Sequence, residues 1–457
     1  MSRAQPLIVG AGPAGVRAAE TLAKAGLRPL VVDEAPACGG QIYRQPLVKD
    51  GRDAHDLYGS EAEKAERLHR AFAALSGRID HLPRALVWNL RDGRADIAVD
   101  GVNRTVNYDG LILATGASDR VLPVPGWTLP GVFTLGGSQV ALKGQGCAIG
   151  RRVVFAGTGP LLYLVAWQYM KAGVRVVAVL DAAPLSAKRN LLGGLALYPA
   201  IILRGARFAA ELKLRGVMLR HGISDLSFEG KDRVVGVRWR EKGRENYLSC
   251  DAVGYGLNLR PETQLADLAG CAFIFNERDR VFVPQREPSG RTSVRGVYVA
   301  GDGAGIAGAD AAELAGERAA LALLEDRGLQ HAAGRAAELE RELAKISRFR
   351  DVMEAAFPFP AHWAATVADD TVVCRCEEVT AGTLRSCVRD FALDEINRLK
   401  AVSRVGMGRC QGRFCGASAA EILAAETGRS VAAVGRLRGQ PPVKPVPLTL
   451  IPREAAE

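Results

Sequence analysis

The chain has 457 residues, of which 48% are hydrophobic and 24% charged, a composition typical of folded proteins with roughly two to four packed units. No run of 18 apolar residues occurs and the chain begins directly with an apolar strand, so we expect a cytoplasmic protein without a transmembrane segment. The formal charge of +10 comes from arginines spread along the chain, which excludes the blocky basic pattern of a nucleic-acid-binding protein but leaves peripheral attachment to an anionic membrane open.

The first predicted elements are a strand, a glycine turn, a helix and a second strand within residues 6–34. The turn contains Gly10, Gly12, Pro13, Ala14 and Gly15. This spacing after a strand and before a helix is typical of a dinucleotide site, because the glycines let the backbone approach a pyrophosphate at the helix N-terminus. An acidic residue should then bind a ribose hydroxyl. Spacing favours Asp33, and a shift of one residue would select Glu34.

Further turns follow apolar strands along the same half of the chain. Residues 95–108 alternate as an antiparallel ribbon would, and the next strand ends in Ala114, Thr115 and Gly116. A later strand at residues 297–300 runs into Gly301 and Asp302, and an alanine-rich helix follows to about residue 326. Asp302 could cap that helix or contact a ligand, and the two roles are compatible.

A second strand, glycine turn, helix and strand begins at Arg152. Its turn keeps Gly157 and Gly159 but has Leu162 at the third glycine position, so the nucleotide there stays open and NAD is uncertain. Asp181 stands near the expected ribose position. Residues 206–220 have a helical pattern and short strands follow them.

The last part of the chain contains a charged helix from about residue 332 to 356, which the Phe-Pro-Phe-Pro segment at 357–360 ends. We place a helix and linker at 331–369, a small module at 370–430 and an extended, proline-containing arm at 431–457.

Four of the nine cysteines have the spacing of metal ligands. They form a C-x-C pair and a C-x-x-x-x-C pair, which consist of Cys374, Cys376, Cys410 and Cys415. Four thiolates suit either an iron–sulfur cluster or zinc, although zinc pairs are usually closer in sequence. No closely spaced cysteine pair precedes residue 374, so the dithiol chemistry of disulfide reductases is not expected.

The order of these motifs, together with Gly39, Gly40 and Gln41, resembles the two-domain FAD/NAD(P) oxidoreductase family of the glutathione-reductase type. The resemblance implies an α/β fold with two Rossmann-like domains, the second inserted in the first. The FAD-type domain would span 1–120 and 280–330, and the NAD-type domain 121–279. FAD or another adenine nucleotide would occupy the first site, with Asp302 on the ribityl hydroxyls.

The cysteine module is similar to the 2Fe-2S domain of bacterioferritin-associated ferredoxin, whose ligands have the same two spacings. The resemblance implies a small, α-rich 2Fe-2S domain in which the four cysteines bind the cluster. Arg375, Arg409 and Arg413 would offset the negative charge of the cluster.

The combination resembles the larger electron-transfer subunits of heteromeric amine dehydrogenases, the group of opine oxidase, hydroxyproline dehydrogenase and hydrogen cyanide synthase. The resemblance implies a FAD-containing beta subunit of the amino-acid-oxidase type, which oxidises the amine. A small gamma subunit and an FMN at a subunit interface are compatible with it. The electron acceptor would be a quinone, a dye or a carrier. The catalytic residues are unknown from this chain. A stand-alone NAD(P)H-dependent ferredoxin or dye reductase is the alternative, and it needs a working second site.

Overall fold

A computed structural model describes residues 5–47, 51–330, 332–447 and 451–452. The strands run over Gln5–Val9, Leu30–Val32, Asp80–Leu82, Leu86–Arg91, Arg94–Val99, Val102–Leu113, Ala117–Asp119, Val132–Thr134, Arg152–Thr158, Arg175–Asp181, Met218–His221, Ser224–Gly230, Val234–Glu241, Arg244–Ser249, Ala252–Leu257, Leu259–Pro261, Phe273–Asn276, Val281–Pro284, Val297–Val299, Val372–Cys374, Val379–Thr380 and Ile451–Pro452. The helices run over Pro13–Lys24, Ala54–Tyr58, Ala62–Ala73, Leu135–Gln139, Pro160–Lys171, Leu191–Leu197, Pro199–Leu214, Gln264–Leu268, Ala309–Asp326, Arg335–Ala356, Trp363–Thr366, Ala381–Asp390, Ile396–Ser403, Gly416–Thr427 and Val431–Val434.

The first sheet unit has a parallel core built around strand Gln5–Val9. That strand pairs with Leu30–Val32 on one side and with the second half of Val102–Leu113 on the other. Strand Val297–Val299 adds to the free side of Val102–Leu113 in parallel register, although the whole second unit lies between them in sequence. The first half of Val102–Leu113 joins the antiparallel ribbon that the alternating pattern predicts.

The second sheet unit is parallel throughout and has strand Arg152–Thr158 at its centre. Its order is Met218–His221, Arg175–Asp181, Arg152–Thr158, Ala252–Leu257 and Val132–Thr134. Residues 153–156 are fully buried because helices and a second, antiparallel sheet cover both faces. This arrangement confirms the predicted α/β class with two Rossmann-type units.

One predicted helix is placed wrongly by the sequence pattern. The expected helix at 206–220 is instead helix Pro199–Leu214, and strand Met218–His221 follows it. Gly216 has a φ of +78°, a left-handed backbone that ends the helix and that glycine adopts without strain.

The C-terminal region is helical and packs firmly on the second sheet unit. Its buried residues form one continuous apolar cluster with those of the sheet. Trp127 donates to the carbonyl of Val372 at 2.6 Å, and Trp363 donates to the carbonyl of Pro123 at 2.7 Å. Strand Ile451–Pro452 of the predicted arm pairs with Val102–Leu113, while residues 448–450 and 453–457 of that arm lie outside the described residues.

Among the described residues, every helix falls short of the length and apolar character that a bilayer-spanning helix needs.

Candidate functional site

The first glycine loop lies at the carboxyl edge of the parallel sheet and leaves no space for a side chain at Gly10 or Gly15. A Cβ atom on Gly15 would stand 1.7 Å from the carbonyl oxygen of Gly10, and one on Gly10 would stand 2.3 Å from the carbonyl oxygen of Ala114. Gly10 also has a φ of +105°, which favours glycine. The loop therefore brings helix Pro13–Lys24 directly against the sheet, as a pyrophosphate site requires.

Two other predicted loops meet this one at the same edge. A Cβ atom added to Gly12 would lie 3.6 Å from the Cα of Gly40, so the two backbones are within contact distance of one side-chain atom. An added Cβ on Gly301 would lie 3.0 Å from the Cβ of Ala14. Glycine-lined backbone from three separate segments thus forms one cradle, which fits the phosphates of a dinucleotide.

Of the two candidate ribose acids, only one belongs to this cradle. The Asp33 carboxylate accepts the backbone N–H of Ala11 inside the glycine loop and that of Ala35 at 2.6 Å. Burial raises the pKa of Asp33, and these N–H donors oppose the shift. Glu34 is exposed and forms an ion pair with Lys444 on the surface.

Asp302 lies at the end of strand Val297–Val299, where the sequence predicts it. Its Oδ1 accepts the backbone N–H groups of Ala307 at 2.8 Å and Gly308 at 2.9 Å, just before helix Ala309–Asp326. Burial raises its pKa. The carboxylate therefore fixes the turn that precedes the helix.

Gln41, Thr115 and Gly116 occupy different parts of the same region. Gln41 is exposed, and its side-chain oxygen accepts from Arg44 at 2.8 Å. The Thr115 hydroxyl lies beside Gly303, where an added Cβ would be 2.7 Å from its oxygen. Gly116 has a φ of +68° and follows directly.

The second glycine loop differs from the first because Asp181, the acid near its predicted ribose position, is bound by side chains. Asp181 is fully buried, and its carboxylate accepts from Thr158 at 2.9 Å and from Tyr163 at 2.7 Å. Lys188 forms an ion pair with it at 2.8 Å, and the ammonium group also lies 3.3 Å from the centre of the Phe357 ring. Burial lowers the pKa of Lys188, while Asp181 opposes that shift.

The third glycine position of the second loop is filled by Leu162, which is fully buried in the core of this unit. Gly157 and Gly159 both have positive φ, and an added Cβ on Gly159 would lie 2.1 Å from the side-chain oxygen of Asn258. The loop keeps its glycine backbone, while its acid is held by the lysine of the segment that follows.

The four predicted cysteine ligands come together at one end of the C-terminal region. Cys374 ends strand Val372–Cys374, and Cys415 precedes helix Gly416–Thr427. The thiols form a chain of sulfur contacts in which Cys374 meets Cys415, Cys415 meets Cys410, and Cys410 meets Cys376. An added Cβ on Gly408 would lie 2.2 Å from that of Cys376, so this loop also needs glycine.

Hydrogen bonding between the cysteines favours the thiolate form at two of the four, Cys374 and Cys410. The contact with Cys415 lowers the pKa of Cys374 to about 6 and that of Cys410 to about 5, despite burial, and backbone N–H groups add to the effect. The same contacts raise the pKa of Cys415 well above its usual value.

Four cysteine sulfurs in contact with one another are the donor set of this site. In the described part of the chain, no group of three or more His, Cys, Asp or Glu side chains is arranged around a single ion position. A 2Fe-2S cluster needs two cysteines for each iron, and a chain of four adjacent sulfurs can supply them. The donor set thus fits a binuclear iron–sulfur group.

Two sets of residues at these sites are not evident from the sequence. Glu262 lies between Thr115 and the cysteine loop, where its carboxylate pairs with Arg413 at 2.7 Å. Lys188 reaches Asp181 from the following segment. Neither pair has a local sequence spacing that could reveal it.

Comparisons with known proteins agree with this architecture of two nucleotide-binding units and a C-terminal helical region. The model of the family described as pyridine nucleotide-disulphide oxidoreductase matches residues 4–323, and that of the sarcosine oxidase A3 domain matches residues 369–454. L-proline dehydrogenase from P. horikoshii has a similar fold, with a TM-score of 0.72 at 18% identity over 98% of this chain and 79% of that one. The fold and the first site define an FAD-binding oxidoreductase.

Sequence relatives extend over nearly the whole chain. An opine oxidase subunit from Rhizobium meliloti is 39% identical over 97% of this chain and 86% of its own length. Hydrogen cyanide synthase subunit HcnB from Pseudomonas protegens is 35% identical over 98% of this chain and 97% of its own. The chain belongs to the pyridine nucleotide-disulphide oxidoreductase family, in the group that contains these subunits, which confirms the resemblance inferred from the motifs.

The family name refers to disulfide chemistry, for which the first unit of this chain is poorly equipped. Cys38 follows the first unit's second strand and is buried. Burial raises the pKa of its thiol to about 11, so the thiol stays protonated at neutral pH.

Proposed function

We propose that this chain is the electron-transfer subunit of a heteromeric amine or amino-acid dehydrogenase, with a secondary amine such as an opine or proline derivative as the substrate of the complex. The names of its relatives describe subunits, which supports a partner chain. The observation that carries the proposal is the position of the four-cysteine loop beside the Thr115 turn of the first nucleotide site. A flavin in the first site and a cluster on the cysteines would then be neighbours, as an electron relay needs.

The first site would hold FAD, or another adenine nucleotide, and the four cysteines would hold a 2Fe-2S cluster. The glycine cradle would hold the pyrophosphate, Asp33 would bind the ribose, and Asp302 would contact the ribityl hydroxyls. When bound, FAD takes up electrons in pairs and the cluster carries them singly. The chain's own residues would hold the two groups on either side of Glu262.

The partners would be a FAD-containing beta subunit of the amino-acid-oxidase type, which oxidises the amine, and a small gamma subunit. An FMN would lie at an interface between subunits. A quinone, dye or carrier would accept the electrons. We place the complex in the cytoplasm, with peripheral attachment to the membrane as an extension of this proposal.

We also propose a division of the chain into domains. A FAD-type domain would comprise 1–120 and 280–330, and a second nucleotide-binding domain would comprise 121–279. Residues 331–369 would link it to the cluster domain at 370–430.

A stand-alone NAD(P)H reductase is disfavoured by the occupied acid of the second site. A nicotinamide nucleotide would need Asp181 for its ribose, but that carboxylate is buried and bound by Lys188, Tyr163 and Thr158. The reductase alternative predicts that NADH alone bleaches the flavin. Our proposal predicts bleaching only when the partner and an amine are both present.

The test is to purify this chain with its partner and to measure flavin, iron and acid-labile sulfide in the wild type and in Cys410→Ser. We expect the variant to lose iron, sulfide and the visible absorption of the cluster while flavin content stays unchanged. Cys387→Ser is the matched control, because Cys387 lies in the same region but outside the sulfur chain. Iron that survives in Cys410→Ser, or a wild type without iron, would contradict the cluster assignment.

A further inference from the structure

The loop that carries two of the four cysteines rests on a short segment between the two sheet units. Arg260 donates to the backbone carbonyl of Arg413. Gln264 donates to the carbonyl of Gln411 at 2.7 Å. Arg413 in turn pairs with the carboxylate of Glu262 at 2.7 Å. The segment 260–264 thus binds the loop through both its backbone and its side chains.

The same segment is bound to the first nucleotide site from the other side. The Thr115 hydroxyl donates to the carbonyl of Glu262 at 2.5 Å, and the Glu262 N–H donates to the carbonyl of Gly116 at 3.0 Å. An added Cβ on Gly303 would lie 3.5 Å from the same Glu262 carbonyl. One residue therefore touches the nucleotide cradle with its backbone and the cysteine loop with its side chain.

Burial makes these contacts strong and keeps the pair charged. The Glu262 side chain is 15% exposed and that of Arg413 is 11% exposed. Burial alone would raise the pKa of Glu262, but Arg413 and Arg260 lower it overall, so the carboxylate stays ionised. Arg413 also donates to the carbonyl of Cys410 at 3.3 Å. A movement of Glu262 would therefore be transmitted through Arg413 to a cysteine of the sulfur chain.

We propose that Glu262 and Arg413 are positioning residues that couple the four-cysteine centre to the occupancy of the first nucleotide site. The inference rests on the proposed function, since it requires a cluster and a flavin in the same chain. A ligand against Thr115 and Gly116 fixes the backbone of Glu262, and the ion pair transmits this restraint to the cysteine loop. Coupling of this kind is reciprocal, so the cluster should also change the affinity for flavin.

The experiment uses the full chain loaded with iron and flavin. The midpoint potential and the electron paramagnetic resonance spectrum of the reduced cluster are measured before and after the flavin is removed. We expect both to change in the wild type and to change less in Glu262→Gln, in which only the contacts of Arg260 and Gln264 still join the segment to the cysteine loop. Glu377→Gln is the matched control, because Glu377 also pairs with an arginine beside the cysteines, Arg404 at 2.9 Å, and it should keep the wild-type response.

The charge change itself gives a second expected shift. One unit charge at roughly 10 Å from the cluster, in a medium with an effective dielectric constant of about 20, changes the equilibrium constant between the oxidised and reduced cluster by about tenfold. Loss of the Glu262 carboxylate removes a negative charge near the cysteines, so Glu262→Gln should favour the reduced cluster by up to about that factor. A response to flavin that is as large in Glu262→Gln as in the wild type would overturn the coupling through Glu262 and Arg413.

A measurement without any Glu262 variant covers the case in which Glu262→Gln does not retain iron. The dissociation constant of FAD is compared between the iron-loaded wild type and Cys410→Ser. Different affinities support the coupling, and equal affinities overturn it even if the chain binds both groups. A wild type without iron would instead overturn the proposed function, so the two failures are distinguishable.

Discussion

Glu421 in helix Gly416–Thr427 anchors the C-terminal region to the rest of the protein through a buried cluster of charges. The residue is 4% exposed. Its carboxylate accepts from Arg280 at 2.8 and 3.1 Å and lies 3.8 Å from Arg120. Arg120 is itself 4% exposed, and burial lowers its pKa to about 10. Two arginines thus depend on one carboxylate for neutralisation.

We expect Glu421→Gln to lower the free energy of unfolding by about 3 kcal/mol. Removal of one partner from a buried ion pair costs about 3–5 kcal/mol, because the other charge is left in a medium that solvates it poorly. The amide oxygen of glutamine still accepts one hydrogen bond from Arg280, so the lower end of this range applies. Typical proteins have a total stability of only about 5–15 kcal/mol, so the loss should be easy to measure.

The assay is urea unfolding, followed by circular dichroism and by tryptophan fluorescence, since two of the five tryptophans, Trp127 and Trp363, bridge the same interface. Glu245→Gln serves as the control, because Glu245 and its partner Arg238 are 56% and 45% exposed. Such a surface pair contributes less than about 1 kcal/mol. A loss in Glu421→Gln no larger than that of the control would refute the anchoring role of this carboxylate.

Three more outcomes follow from local packing. Burial lowers the pKa of Lys143 from 10.5 to about 8, so the folded state binds fewer protons than the unfolded state between these values and stability rises with pH there. The free energy of unfolding of Lys143→Met should therefore exceed that of the wild type by about 3 kcal/mol at pH 7, and the difference should disappear towards pH 10.5. Urea titrations that give the same difference at both pH values would contradict this. Gly15→Ala should abolish flavin binding, because its Cβ would stand 1.7 Å from the Gly10 carbonyl oxygen, and retained flavin absorbance would disprove it. Gly205→Ala has nothing within 4 Å of the new atom and should add up to about 1 kcal/mol to a helix, which thermal melting can check.

Local sequence pattern predicts the parts of this protein that depend on neighbouring residues. The first glycine turn, its flanking strands and the antiparallel ribbon all follow from spacing over a few residues, and the structure confirms these elements. The helix after Gly308 ends at Asp326, as the alanine-rich pattern predicts. Each of these features is decided by backbone geometry or by burial of one face, which a short window of sequence contains.

Contacts between distant segments could not be predicted in this way. Glu262 and Arg413 are far apart in sequence, and neither has a neighbour that identifies its partner. The same holds for Lys188, since a lysine in a polar segment after a strand is most often solvated, whereas here it neutralises Asp181. Both pairs exist because tertiary packing brings together charges that neither segment could bury alone.

The late addition of strand Val297–Val299 has a consequence for the synthesis of the protein on the ribosome. Until that strand emerges, the nascent chain carries strand Val102–Leu113 with one edge unpaired, while the second unit can already fold. Helix Ala309–Asp326, which packs along helix Pro13–Lys24, emerges later still. The nucleotide cradle is therefore completed only after most of the chain has been made, and the exposed edge before that point is a surface for chaperones or for aggregation.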